Sequence, residues 1–199
     1  MTEHYYTDTQ KPAVLTKIRV HGPTPFEIYS GSGIFSVRRV DLGTSVLLKY
    51  MRISEGSHVA DLGCGYGVIG LYVLKNVPDT KVTFIDVTTR AITVTKKNVT
   101  LHDYDARSTV IKSDVLAGVS ESFDTILTNP PYAAGRAVCF KFIEEAHTHL
   151  KEKGTLQLVC RRRKGGDVLE QKMNEVFGNV SVIGSSGGFR LYCSEKLSK

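Results

Sequence analysis

The sequence predicts an α/β domain built around a mostly parallel sheet, and three observations predict it. Strand-like and helix-like segments alternate regularly from Ser57 onward, the first of these strands runs through a glycine-rich turn straight into a helix, and the last two strands are joined by glycines as a hairpin. Ahead of the alternation, Ile18, Val20, Phe26 and Ile28 alternate with polar residues between Val14 and Tyr29, with Pro23 and Pro25 as turn residues, so a small N-terminal β-hairpin is expected. Gly31 to Ser36 reads as a glycine-bearing loop, and Thr44 is placed to cap a short helix through Val46, Leu47 and Leu48.

Strands are then expected at Ser57 to Leu62, Lys81 to Asp86, Thr109 to Lys112, Phe123 to Thr128 and Thr155 to Val159. Helices are expected at Val68 to Lys75, Arg90 to Leu101, Ala137 to Leu150 and Val168 to Phe177. In the last helix Val168, Leu169, Met173, Val176 and Phe177 form an apolar stripe, read as a core face rather than a cofactor surface. Val180 to Gly184 and Phe189 to Cys193, joined by Ser185-Ser186-Gly187-Gly188, predict an antiparallel strand pair closing the sheet.

With 199 residues the chain fits one domain with a full core, and the reading is a single catalytic domain over 1–199, with 1–43 as an N-terminal extension and 44–199 as a Rossmann-like core. Hydrophobic residues at 41% and charged residues at 23% suggest neither a disordered chain nor a membrane class, and apolar runs such as Val68 to Leu74 are too short to span a bilayer. The start, Met1 to Tyr6, has neither the basic nor the apolar stretch of a secretory signal, so a cytoplasmic protein is expected. Cys64, Cys139, Cys160 and Cys193 lie far apart without a Cys-x-x-Cys pair and read as reduced, mostly buried thiols, which argues against a metal site and against disulfides. None of His102, His147 and His149 has metal-ligand spacing, and no histidine is given a chemical role. A net charge of +6 favours an anionic partner without identifying it.

Asp61-Leu62-Gly63-Cys64-Gly65-Tyr66-Gly67-Val68-Ile69-Gly70 is the first chemical signal. Gly65 to Gly70 satisfies G-x-G-x-x-G, and Asp86 ends the next strand about 20 residues on, as a dinucleotide site would require. The glycines alone therefore leave NAD and S-adenosylmethionine both open. Asp61 shifts the balance, because a carboxylate just before the turn repels a pyrophosphate but can help hold the ammonium of a methionine moiety. In that scheme Asp86, followed by Val87, accepts bonds from the ribose hydroxyls, and Asp114, followed by Val115, receives the adenine amino group. Gly63, Cys64, Gly65 and Gly67 line the cofactor. Taken singly, each aspartate reads equally as a loop carboxylate beside a helix N-terminus.

The second signal is Asn129-Pro130-Pro131-Tyr132 at the end of a strand, where two prolines stop the strand and stiffen the loop. A planar amine on a base or an amide is a poor nucleophile, since its lone pair is delocalised. If the Asn129 side-chain oxygen and the Pro130 carbonyl accept its two hydrogens, the lone pair is aimed at a sulfonium methyl and no strong base is needed. Positioning and preorganised dipoles of this kind supply about 7–11 and 3–4 kcal/mol respectively elsewhere. Tyr132, with Pro131 beside it, would stack on the acceptor ring. Hydride transfer has no use for this tetrapeptide, so the pair of motifs weakens the NAD reading and favours S-adenosylmethionine.

On these motifs the chain resembles the RsmC-like small-subunit ribosomal RNA guanine-N2 methyltransferases in their short archaeal single-domain form. The likeness also takes in His4-Tyr5-Tyr6, Ser32 to Ser36, Val40 to Thr44 and Phe177 to Val180. It implies a class I S-adenosylmethionine-dependent fold with seven strands in the order 3-2-1-4-5-7-6, Phe35 and Thr44 folding over the cofactor, and Asn129 as the amine-binding residue. Longer bacterial members carry a second, degenerate copy of the domain.

Arg161-Arg162-Arg163-Lys164 follows the fifth strand of the core, whose end borders the ligand crevice of an open α/β sheet. This run, with Arg136, is read as an RNA-phosphate-contacting lip; a solvated charged turn is the alternative. The expected reaction is methylation of a guanine N2 amine in 16S ribosomal RNA. Transfer RNA guanine, a release-factor glutamine, DNA adenine, or an RNA-binding assembly factor without turnover are the other readings of the same motifs.

Overall fold

The computed structural model describes residues 13–34 and 38–198. The chain forms β1 (Leu15–Val20), β2 (Phe26–Gly31), α1 (Leu42–Tyr50), β3 (His58–Leu62), α2 (Val68–Asn76), β4 (Lys81–Asp86), α3 (Thr89–Leu101) and β5 (Ser108–Lys112). It continues through β6 (Phe123–Thr128), α4 (Arg136–His149), β7 (Leu150–Arg161), α5 (Gly166–Phe177), β8 (Ser181–Ser186) and β9 (Phe189–Glu195). β1 and β2 make a separate antiparallel hairpin, and the other seven strands form one sheet in the order β5-β4-β3-β6-β7-β9-β8. Counted from β3 as the first, that is the expected 3-2-1-4-5-7-6.

Strands β5, β4, β3, β6 and β7 run parallel, and β9 lies antiparallel between β7 and β8. The chain steps outward from β3 to β5, then returns to the other side of β3 as β6. The loops leaving β3 and β6 therefore diverge, and the crevice between them is where an open α/β sheet binds ligands.

Alternation within each strand builds two cores. Val59, Val82, Phe84, Leu127 and Val159 face α1, α2, α3 and the hairpin, while Ala60, Leu62, Ile85, Ile126, Leu156 and Leu158 face α4 and α5. The stripe of α5 is a core face as expected: Leu169, Met173 and Phe177 are buried in the second cluster, with Val176 packed against it. The hairpin is tied to α3, with Tyr29 N–H donating to Asn98 Oδ1 at 2.8 Å and Asn98 Nδ2 donating to the Tyr29 carbonyl at 2.7 Å. Among the described residues, no helix is long and apolar enough to cross a membrane.

The cap of α1 is Asp41, not Thr44: its Oδ1 accepts from Thr44 N at 3.1 Å, which puts Thr44 inside the first turn. β7 begins at once where α4 ends, earlier than expected, because Lys151-Glu152-Lys153 is exposed and carries no apolar alternation to betray a strand. Gly187 and Gly188 turn β8 into β9 with φ of +56° and +80°, the pair of positive values a two-residue type I′ hairpin demands.

Candidate active site

The turn between β3 and α2 is built by glycines with no conformational substitute. Gly63, Gly65 and Gly67 all have positive φ (+75°, +59° and +82°), where a Cβ is strained. Gly70 allows α2 to lie directly on β4, since a Cβ there would run into the Phe84 ring. The turn's donors are spent internally. Gly63 N and Cys64 N donate to the Ile85 carbonyl, Gly67 N to the Cys64 carbonyl, Gly65 N to Asp86 Oδ2 at 3.0 Å and Gly70 N to Asp61 Oδ2 at 2.9 Å. A phosphate cradle needs such N–H groups free and positive surroundings; here they are bonded and two carboxylates lie behind them.

Asp61 lies deeper than its expected contact with an ammonium requires. It is fully buried beneath the turn, pins the first turn of α2 through Gly70, and does not line the cavity. Its second oxygen, Oδ1, has no hydrogen-bond partner, and burial pushes its carboxyl up to about 7. Gly67 also falls outside the lining, because it caps α2 against the Thr95 side chain. Gly63, Cys64 and Gly65 do line the cavity.

Asp86 ends β4 at the cavity wall, with Oδ2 on Gly65 N and Oδ1 accepting from Thr88 N at 2.9 Å and Thr88 Oγ1 at 3.0 Å. Three of its roughly four acceptor positions are thus occupied, one of them by the Thr88 hydroxyl, whose oxygen in turn caps α3 by accepting from Ala91 N at 3.3 Å. Val87, Ala91, Ile85 and Val115 give the next stretch an apolar slot. Asp114 stands at its mouth, largely exposed and paired with Lys141 Nζ at 2.7 Å. Val115 is buried with φ +58°, an unusual conformation for a β-branched residue, held while Leu116 N donates to Glu145 Oε2 at 2.7 Å. Nothing in the sequence signals that strain.

At the end of β6 the Asn129 side chain is oriented by its nitrogen. Nδ2 donates to Thr44 Oγ1 at 3.0 Å and to the Asp41 carboxylate at 3.3 and 3.5 Å, so the amide oxygen remains for the cavity that Asn129, Asp41 and Thr44 all line. Pro131 has φ −74° and ψ 77°, the centre of an inverse γ-turn in which Tyr132 N donates to the Pro130 carbonyl at 2.8 Å. One lone pair of that carbonyl is therefore used, and one remains. Pro130, Pro131 and Tyr132 line the cavity beside Asn129.

The basic run divides. Arg161 lines the cavity with its guanidinium carbon 5.2 Å from the centroid of the Phe189 ring, a cation–π pair. Arg162 and Arg163 are exposed in a 3₁₀ turn (Arg162–Lys164), and Arg136 is exposed at the start of α4; none of the three lines the cavity. Of Lys164 only the backbone is described, and Phe35 lies outside the described residues. Asp41, Thr88 and Phe189 are among the site residues to which no motif gives a role. Asp41 had a local signal, an Asp three residues before a Thr at a helix start, whereas Phe189 enters from the far end of the chain through β9 alone.

Together these walls enclose a cavity of about 570 Å³, within the range of small-molecule sites. The residues fit a sulfonium cofactor better than a dinucleotide: the glycine donors are consumed, acidic groups replace a phosphate cradle, and the apolar slot between Val87 and Val115 suits an adenine.

A family model, the methyltransferase small domain, matches residues 25–193. The chain is 31% identical to the YbxB protein of Bacillus subtilis, over 99% of this chain and all of that one. It is 33% identical to the ribosomal RNA small subunit methyltransferase C of Pasteurella multocida and 35% identical to the ribosomal RNA large subunit methyltransferase G of Alcanivorax borkumensis. Those alignments take in 83% and 79% of this chain but 50% and 41% of the relatives, so the chain spans about half the length of these two proteins. A solved T. thermophilus 16S rRNA N2 G1207 methyltransferase (RsmC), in complex with AdoMet and guanosine, has the same fold, with a TM-score of 0.80 at 23% identity over 94% of this chain and 51% of that one. The chain belongs to the methyltransferase small domain family, whose class I fold and dependence on S-adenosylmethionine account for the glycine turn and the carboxylates that follow it.

Proposed function

We propose that this protein methylates the exocyclic N2 amine of a guanine in structured RNA, with small-subunit ribosomal RNA as the leading substrate and the cytoplasm as its place of action. The observation that carries the reading is the Asn129 amide, fastened through its nitrogen to Asp41 and Thr44 with its oxygen left for the cavity beside the Pro130 carbonyl. Two acceptors side by side suit an NH2 group, which brings two donors. Relatives named as ribosomal RNA methyltransferases of both subunits support RNA, and the guanosine bound in the RsmC structure supports guanine.

S-adenosylmethionine, when bound, supplies an electrophilic methyl group. Gly63 to Gly65 and Asp86 would hold it, with its adenine between Val87 and Val115. Asn129 Oδ1 and the free lone pair of the Pro130 carbonyl would accept the two amine hydrogens and stabilise the positive charge that grows on nitrogen as the methyl leaves sulfur, and the surplus N–H proton would then pass to solvent. Tyr132 and Arg161 line the same cavity, where they would meet a base and its phosphate once the nucleotide is turned out of its stack.

Incubating the protein with methyl-tritiated cofactor and separate pools of ribosomal RNA, transfer RNA, DNA and release factor, then digesting each to its monomers, tests this. Label in N2-methylguanosine from ribosomal RNA is the expected result. Label confined to DNA or protein would overturn the RNA assignment, and label confined to transfer RNA would replace the ribosomal one.

A further inference from the structure

The Asp41 carboxylate serves two partners that are far apart in sequence. As the cap of α1 it accepts from Thr44 N at 3.1 Å, and it accepts from Asn129 Nδ2 with both oxygens, at 3.3 and 3.5 Å. Thr44 Oγ1 accepts from the same nitrogen at 3.0 Å. These two contacts with Asn129 are not equivalent. A hydroxyl both donates and accepts, so Thr44 would satisfy the amide in either orientation, whereas an ionised carboxylate only accepts and is satisfied solely when the NH2 end faces it. Asp41 is therefore the group that decides which end of the amide meets the cavity.

We propose that Asp41 is a positioning residue for methyl transfer: it locks the Asn129 amide with its oxygen toward the cavity and so makes the clasp acceptor-only, selective for nitrogens carrying two hydrogens. This rests on the transfer reaction proposed above. With the amide flipped, its NH2 would meet the substrate amine donor to donor, and the amine would lose the contact that aims its lone pair. The lock also couples the amine clasp to α1, the helix laid across β7, β8 and β9, so the geometry at Asn129 depends on how the C-terminal strands seat that helix.

Asp41→Ser separates the two duties. Serine is as good a helix cap as aspartate, but its hydroxyl, like that of Thr44, does not discriminate between the ends of an amide. The expected result is a kcat lower by about 10- to 100-fold, the order that misplacement of a reacting group costs. Affinity for S-adenosylmethionine by calorimetry and the melting temperature should stay close to wild type. In an Asn129→Ala background the same substitution should change kcat by less than about twofold, since it has nothing left to orient. An equal loss in both backgrounds, or a fall in melting temperature that accounts for the loss, would overturn the proposal.

A second measurement is independent of the substrate. In protein labelled with ¹⁵N-asparagine, the Asn129 carboxamide, identified by its absence from Asn129→Ala, should give two well-dispersed protons in the wild type that move toward the solvent-exposed position in Asp41→Ser. An unmoved pair refutes the lock even if no RNA is methylated. Failure of the methylation reading would appear separately, as wild-type protein that transfers no label.

Discussion

The Tyr132 hydroxyl lies directly over the α-carbon of Gly165, so that a Cβ at residue 165 would fall on the phenol oxygen. This seat joins the turn after β6, which carries Asn129, to the turn after β7, which carries the arginines. Gly165 has φ +103°, so any other residue there is strained as well as obstructed.

Gly165→Ala should therefore do two separable things. Backbone strain costs about 1–3 kcal/mol of stability, readable as a lower urea midpoint. Displacement of the Tyr132 ring should lower kcat/KM for RNA while S-adenosylmethionine binding, which uses the turn after β3, stays within about twofold by calorimetry. Adding Tyr132→Ala to Gly165→Ala should recover part of the stability by removing the collision, but none of the RNA activity. Unaltered RNA kinetics in Gly165→Ala would mean that the ring needs no such seat.

Asp61 makes stability depend on pH in an unusual direction. It is fully buried with one oxygen unpartnered, and burial, aided by the negative charge of Asp86, raises its carboxyl from 3.8 to about 7. A group whose pKa is higher in the folded state holds its proton there while the unfolded chain has released it. Between about pH 4 and 7 the native state thus binds more protons, and this group's contribution to stability falls as pH rises through that window, then levels off above it. Asp61→Asn keeps an oxygen for Gly70 N and cannot ionise. Urea unfolding from pH 4.5 to 7.5 should show the wild type losing ground to the variant as pH rises, by at most about 1.4 kcal/mol per unit. Parallel curves would mean that Asp61 stays in one protonation state across the range.

How much of this was legible in the sequence follows from where each signal is stored. Strand ends such as Asp86 and Thr128 were readable because apolar runs stop there, and the sheet closes as the family resemblance implied. Glycines and prolines gave the two turns around the cavity, since backbone constraints are local. Relations between distant segments left no local trace. Asp41 is a helix cap whose second partner lies 88 residues away, and nothing in a single sequence marks that pairing. The place of Asp61 before the glycines suggests a ligand contact, but β-strand alternation turns its side chain under the turn instead. Phe189 carries only the signal of a strand residue, and the antiparallel return of β9 beside β7 brings it to the cavity.

The same distinction governs the basic run, where three arginines adjacent in sequence occupy different places in space. Arg161 lies against Phe189 and lines the cavity, while Arg162 and Arg163 project from the exposed 3₁₀ turn. If RNA crosses this edge, Arg162→Ala and Arg163→Ala each remove one phosphate contact and nothing else. Each should then flatten the dependence of log K on log salt by about 0.7–0.9 and leave kcat on saturating RNA unchanged. Arg161→Ala should do the same to the slope and in addition lower kcat, because its loss also unseats the Phe189 ring at the cavity wall. Filter binding between 50 and 300 mM salt, paired with single-turnover methylation at saturating RNA, reads both quantities. Equal slopes for wild type and the Arg162 and Arg163 variants would make the turn a solvated charged loop, and a normal kcat for Arg161→Ala would place that residue outside the substrate's path.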